Sequence, residues 1–312
     1  MTLQTPGIHH VTAIASDPGR NLEFYTETLG LRLVKRSVNQ DDVSIYHLFY
    51  GDSQGSPGTS LTFFPYPGAA AGRTGTGQAT AVGLTVPRDA IDYWRDRFET
   101  MGVEHDPPFD RLGDRVLPFR DPDGLELELV GTEAPAGSPP EGPVPKEKAI
   151  RGFHDVTLTV SEDQGISTLL SGMGYHETAK TSDRIRFETS GDLGAVLDLH
   201  VDPGAHRGRQ GAGIVHHVAF RVSAEEQARW REFLLDQGLR PTEIIDRKWF
   251  KSVYARTGAG VLFEFATETP GYTVDEDQDT LGQALVLPDW LEEKREKIEA
   301  ELPELKLPSE NQ

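Results

Sequence analysis

Four segments of this chain share one outline: an alternating strand, a helix, then three strands. A repeat of this kind constrains the fold more than any single motif. One such unit cannot cover its own apolar face and must bury it against another. The first segment opens at Ile8-His9-His10-Val11-Thr12-Ala13-Ile14 and closes near Pro65. Its helix is expected over 18–29, with Leu22, Tyr25 and Leu29 at helical spacing. Strands are expected near 31–38, 43–50 and 59–64. The second segment runs from Thr80-Ala81-Val82-Gly83 to Val130, with Ile91, Trp94 and Phe98 on its helix. The third begins at Phe153-His154-Asp155-Val156 and ends near Val201. The fourth runs from Val215-His216-His217-Val218 to Ala266, and its helix carries Trp230, Phe233 and Leu234.

These modules predict an α+β chain of four βαβββ units in two halves, 1–132 and 150–270. The stretch 133–149 between them is rich in Pro, Gly and charge and reads as a linker. The tail, 271–312, is acidic and turn-rich. A short helix over 288–302 is expected there, in a packing or surface role.

Charge and composition narrow the function. There are 31 basic and 50 acidic residues, a formal net charge of −19, which disfavours nucleic acid as a partner. No run of 18 apolar residues suggests a membrane helix. The start, Met1-Thr2-Leu3-Gln4-Thr5-Pro6, lacks the basic and apolar regions of a signal peptide, so a cytoplasmic location is expected. Cysteine is absent, which removes disulfide and thiolate chemistry. No glycine motif that would cradle phosphates sits between a suitable strand and helix.

The repeat also selects candidate ligands. Each last strand follows a turn glycine, at Gly58, Gly124, Gly194 and Gly260, and four residues later stand Thr62, Glu128, Asp198 and Glu264. The first strands carry the corresponding pairs His9-His10, Val82-Gly83, His154-Asp155 and His216-His217. Alternation sends only one member of each pair into a cavity. With the second member inward, modules one and four supply His10, Thr62, His217 and Glu264. Modules two and three supply Gly83, Glu128, Asp155 and Asp198. Only the first set holds two histidines and a carboxylate, the facial triad of non-haem Fe(II) oxygenases. Imidazole and carboxylate suit Fe(II), with Mn(II) as the alternative. Glu264 lies within Val261-Leu262-Phe263-Glu264-Phe265-Ala266, where a charge needs a partner. Glu128 alternates with leucines and reads as part of a half-solvated strand.

With these residues in hand, the chain resembles the vicinal oxygen chelate superfamily of glyoxalase I, bleomycin resistance proteins and extradiol dioxygenases. Within it, the hydroquinone-cleaving ring dioxygenases are the nearer likeness. The resemblance spans about 6–270. It rests on Gly7-Ile8-His9-His10-Val11-Thr12, His216-His217-Val218-Ala219-Phe220, Arg247, Tyr254, Glu264 and the superfamily turn Asp121-Pro122-Asp123-Gly124. It implies two glyoxalase-like domains, Fe(II) held by His10, His217 and Glu264, and His9 and His216 beside those ligands. It further implies that Thr12 shares the face of His10 and that Arg247 and Tyr254 stand near the substrate. Tyr254 and His216 would be proton donors or acceptors, and Arg247 would orient or stabilise a substrate oxygen. Catechol dioxygenases take their first histidine from module three, which makes His154 the second choice.

The expected reaction is insertion of O2 into a small aromatic diol, of hydroquinone or catechol type. Expected partners are that diol and O2, with neither nucleic acid nor membrane, and a homo-oligomer is left open. Two alternatives come from other classes. One is a metal-dependent isomerase or lyase of glyoxalase type, which Thr62 disfavours because a second carboxylate would stand there. The other is a non-catalytic binding protein of the resistance type.

Overall fold

Each module folds as its hydrophobic pattern requires, and modules from opposite ends of the chain then pair. The computed structural model describes residues 3–133 and 136–307. Met1 and Thr2 of the N-terminal segment, linker residues 134–135 and tail residues 308–312 lie outside the described residues.

Module one comprises β1 (Ile8–Ala15), α1 (Pro18–Glu23), β2 (Arg32–Asn39), β3 (Asp42–Gly51) and β4 (Ser60–Pro65). Module two holds β5 (Gln78–Pro87), α2 (Ile91–Met101), β6 (Phe109–Arg111), β7 (Asp114–Arg120) and β8 (Glu126–Thr132). Module three holds β9 (Phe153–Val160), α3 (Gln164–Gly172), β10 (His176–Lys180), β11 (Arg184–Glu188) and β12 (Val196–Val201). Module four holds β13 (Ile214–Val222), α4 (Gln227–Asp236), β14 (Ile245–Asp246), β15 (Lys251–Arg256) and β16 (Leu262–Thr267). A last short helix, α5 (Arg295–Glu301), lies in the tail. Among the described residues, no helix is long and apolar enough to cross a membrane.

Two expected helices differ in detail. The first is α-helical only to Glu23 and continues as a π turn over Phe24–Thr28. The Thr26 hydroxyl takes the Leu22 carbonyl, and the amide of Leu29 reaches back to Phe24. Leu22, Tyr25 and Leu29 are nevertheless buried, so the apolar stripe survives the change of pitch. In the tail, Asp289–Lys294 forms a 3₁₀ turn before α5 begins.

The strands form two curled eight-stranded sheets. One has the order β14-β15-β16-β13-β1-β4-β3-β2, so modules four and one share it. The other runs β10-β11-β12-β9-β5-β8-β7-β6 and joins modules three and two. Within each module the first and last strands pair in parallel, and modules join through the antiparallel pairs β1–β13 and β5–β9.

The four turn glycines all adopt positive φ, 88°, 85°, 61° and 103° at Gly58, Gly124, Gly194 and Gly260. That left-handed backbone is open to glycine at little cost. At Gly194 the packing adds a second constraint, because a Cβ there would lie 2.8 Å from Cβ of Ile8. The close approach lets the Ile8 amide donate to the Gly194 carbonyl at 2.9 Å, fastening the start of β1 to the other sheet.

In the sheet of modules two and three, the cavity-facing positions are filled by charge. Glu128 is buried, not half-solvated as its alternating pattern suggests, because the Arg111 guanidinium meets both its oxygens. The same guanidinium lies 3.5 Å from Asp155 and 3.7 Å from Asp198. Arg184 and Arg186 also pair with Asp198. Gly83 makes room for this network, since a Cβ there would sit 1.8 Å from Oδ1 of Asp155. A cation built into the chain thus stands among carboxylates equivalent in the repeat to the candidate ligands of the other sheet. Replacing Arg111 with Met would leave three carboxylates without it. The expected cost is about 3–5 kcal/mol of unfolding free energy in urea titrations.

Candidate metal centre

The pairing of β1 with β13 decides which side chains meet. His10 sits opposite Ala219 and Thr12 opposite His217, so residues more than 200 positions apart share one face. β16 runs parallel beside β13 and sets Glu264 next to Ala219. Nε2 of His10 lies 3.3 Å from Nε2 of His217, and Oε2 of Glu264 lies 3.2 Å and 2.8 Å from those nitrogens. All three residues are buried. Among the described residues, no other group of three or more His and acidic side chains converges in this way.

The three atoms lie close enough together to be held by one ion. Oε2 of Glu264 has no hydrogen-bond donor in good geometry, although it is fully buried, while Oε1 accepts a hydrogen bond from Ser252. An orphaned carboxylate oxygen beside two imidazole nitrogens fits a bound cation. Burial alone would raise the pKa of Glu264, but His10 and His217 outweigh it and hold the group well below the usual carboxylate range. Burial lowers the pKa of His217, which Glu264 only partly offsets, so its imidazole is neutral and able to ligate.

The neighbouring histidines fix the tautomers. Nδ1 of His9 lies 2.9 Å from Nδ1 of His10, and Nδ1 of His216 lies 2.8 Å from Nδ1 of His217. If each ligand donates through Nδ1, its Nε2 is bare toward the centre. This arrangement depends on a break in alternation. The ladder counts two residues against one at Ile8–His10, and again at His217–Val215 on the partner strand. These bulges insert His9 and His216 as extra residues and turn adjacent side chains toward one another. Strict alternation would have sent only His217 of its pair into the cavity, yet His216 lines it as well.

The cavity next to the cluster has a volume of about 190 Å³. Phe49, Phe64, Trp249, Phe250 and Tyr254 are aromatic residues of its walls. Arg247 and Tyr254 both line it, with Nε of Arg247 3.3 Å from the Tyr254 hydroxyl. Arg247 also grips Asp41 through two contacts of 3.0 Å and 3.3 Å. Thr12 reaches Nε2 of His217 at 2.9 Å and the Thr62 hydroxyl at 2.7 Å. Thr62, at the position equivalent to Glu264, is thereby committed to hydroxyl contacts. His154 is not in the cluster; it pairs with Asp155 at 3.0 Å in the other sheet.

Sequence reasoning missed Ser252, His47 and the contribution of the tail. Ser252 and His47 are single polar residues in strands, and no repeat marked them. The tail braces a cavity wall. Trp249 donates to Asp275 at 2.8 Å, and the buried Lys35 ammonium meets Asp275 at 2.6 Å and the Tyr272 carbonyl at 2.9 Å.

Comparison with known proteins shows the family of the chain. The profile of the Glyoxalase/Bleomycin resistance protein/Dioxygenase superfamily matches residues 7–129. The provisionally named ring-cleaving dioxygenase MhqE of Bacillus subtilis (strain 168) is 42% identical over 97% of this chain and 100% of its own length. The chain belongs to this superfamily. A chlorohydroquinone/hydroquinone 1,2-dioxygenase of Sphingobium indicum is 32% identical, with 94% of each chain covered. The crystal structure of a provisionally assigned dioxygenase from Bacillus subtilis superimposes with a TM-score of 0.94 at 39% identity, covering 97% of this chain and 98% of that one. Glyoxalase I of Zea mays shares the superfamily fold at a TM-score of 0.63 and 16% identity, covering 84% of this chain and 92% of that one.

The buried histidines make stability depend on pH. Burial, then the neighbouring ligand histidine, lowers His9 to about 3 and His216 to about 4, from an ordinary 6.5. Below pH 6.5 the unfolded chain takes up protons that the folded chain does not, so acid favours unfolding. Calorimetry of the metal-free protein is expected to show Tm falling steadily from pH 6.5 toward pH 4. Substituting His9 by Asn should flatten that slope.

Proposed function

We propose that this protein is a non-haem Fe(II) dioxygenase that cleaves a single-ring aromatic diol. The observation that carries the reading is the buried triad His10, His217 and Glu264 opening onto an aromatic-walled cavity. Two imidazoles and one carboxylate leave three of six octahedral positions free, enough for a diol oxygen and O2. Fe(II) bound there would acidify the diol hydroxyl and hold it beside O2. Mn(II) suits the same donors.

The cavity volume supports one ring. A dry apolar cavity of roughly 150 Å³ accommodates benzene, and this cavity, at about 190 Å³, has room for a few substituents more. Stacking against Phe49, Phe64, Trp249 and Phe250 would bind the ring by its faces and edges. The relatives point the same way, since MhqE is named for ring cleavage and the Sphingobium indicum protein for hydroquinone.

The chain's own residues would then act as follows. Thr12, within 2.9 Å of His217 Nε2, is placed to hydrogen-bond an oxygen beside that ligand. His216 presents the ring nitrogen not bonded to His217 and is a candidate to take or return a proton. Burial, then the charge of Glu264, raises the Tyr254 pKa, so this phenol stays protonated and can donate. Arg247 keeps its charge despite partial burial, because Tyr254 and Asp41 hold it, and can stabilise negative charge on a ring oxygen. His9 would act only by orienting His10. Thr62 supplies no second carboxylate as a fourth ligand, which counts against the isomerase alternative.

Protein loaded with Fe(II) under anaerobic conditions should bind one iron per chain. It should consume O2 in step with loss of ring absorbance when given hydroquinone, methylhydroquinone or catechol. His217→Ala and Glu264→Ala should each lose the iron and at least 100-fold in rate, the scale on which metal-site damage acts. Oxygen uptake absent from fully iron-loaded protein with every one of these diols would overturn the reading.

A further inference from the structure

The proposed reaction needs one ring oxygen at the metal. A hydroquinone carries a second hydroxyl on the far side of the ring, and the cavity must receive it. Most polar groups in the lining are already occupied. Arg247 is held by Asp41 and Tyr254. Gln40 donates to the Arg247 carbonyl, and Asn39 binds Tyr66 and the Asp41 amide. His216 uses one nitrogen on His217 and has been placed beside the ligands.

His47, on β3, is different. Its ring lies against Phe49, with centroids 3.9 Å apart, and against Phe64 at 4.4 Å. Nε2 is locked at 2.9 Å on the Thr62 hydroxyl, itself bonded to Thr12. Among the described residues the hydrogen bond of the ring is the one at Nε2, which leaves Nδ1 without a partner there, and the residue lines the cavity. Burial, then the neighbouring His10 and His217, lowers the His47 pKa and holds the imidazole neutral. A ring clamped between two aromatic side chains and a threonine, with one nitrogen left over, is a prepared hydrogen-bonding site inside an apolar wall.

We propose that His47 is the specificity-determining residue that receives the second ring hydroxyl of the diol through Nδ1. A hydroxyl suits this nitrogen in either tautomer. If Nε2 accepts from Thr62, Nδ1–H donates to the hydroxyl oxygen; if Nε2 donates, bare Nδ1 accepts the hydroxyl proton. An ether or a halogen could satisfy only one of these. The line Thr12–Thr62–His47 thus sets the recognition group from the same strands that carry the ligands. This inference rests on the ring-cleavage reading for its substrate, and it assigns the contact that distinguishes a diol from a simple phenol.

The test measures binding without turnover. Iron-loaded protein is titrated anaerobically with hydroquinone and with phenol, which lacks only the second hydroxyl, and affinity is read from quenching of tryptophan fluorescence. The native protein is expected to prefer hydroquinone by about 10-fold, the value of one buried hydrogen bond. His47→Leu should bring the ratio close to one by weakening hydroquinone alone, with iron content unchanged. His47→Gln should keep part of the preference. Thr62→Val, which frees the imidazole without entering the ring site, should reduce it. These last two variants carry the test if His47→Leu does not fold. An unchanged preference in the variants, or no preference in the native protein, overturns the assignment to His47. Failure of the native protein to bind either ring overturns the ring-cleavage reading itself, and the inference with it.

Discussion

The antiparallel pairing of β1 with β13 is the interaction on which the site depends. It brings together two strands with 198 residues between them and puts His10 and His217 on one face. Everything chemical follows from its register. A one-residue slip would reverse the facing of every side chain along the strand. The bulges at His9 and His216 make use of that sensitivity, because each turns a flanking histidine onto the neighbouring ligand. Ligand orientation is therefore built into the backbone of the strands, and Ser252 on β15 completes it by holding the outer oxygen of Glu264.

The two sheets solve the same problem differently. Each draws inward-facing polar residues from four equivalent strands, and a buried carboxylate must be neutralised. Beside modules one and four, His10, His217 and Glu264 form a group that could hold a metal ion. Beside modules two and three, the carboxylates are more numerous and Arg111, Arg184 and Arg186 neutralise them from within. Gly83 marks the difference, since a histidine there would collide with Asp155. The second sheet holds an ion-pair network at the positions where the first holds His10, His217 and Glu264.

The cavity draws on more of the chain than its ligands suggest. Its mouth is closed in part by the hairpin tip around Asp41, which grips Arg247. Its wall at Trp249 is held by Asp275 of the tail, and the buried Lys35 ties that tail to β2. A net charge of −19 would oppose anions at the surface, so Arg247 stands out as the cationic group in the lining. Rigid aromatic walls with a few fixed polar groups favour a flat, neutral ring over a flexible or highly charged ligand.

The sequence by itself determined the module count, the strand and helix order and the glycine turns, and it nominated His10, His217 and Glu264 as candidate ligands. These are local or repeated, and alternation with a fixed period makes repeats legible. His154 could be set behind His10 on phase alone, and the structure places it in the other sheet. For His216, alternation by itself did not show that both members of the pair line the cavity, because a bulge adds one residue to one strand and leaves no mark in alternation. Glu128 was misread for a related reason: its strand pattern looks half-solvated, and only the arrival of Arg111 from β6 shows otherwise. His47, Ser252 and the bracing tail had no repeat to announce them. Their roles come from contacts across long separations in sequence, which only the tertiary structure decided, because it alone sets which unlike strands lie side by side.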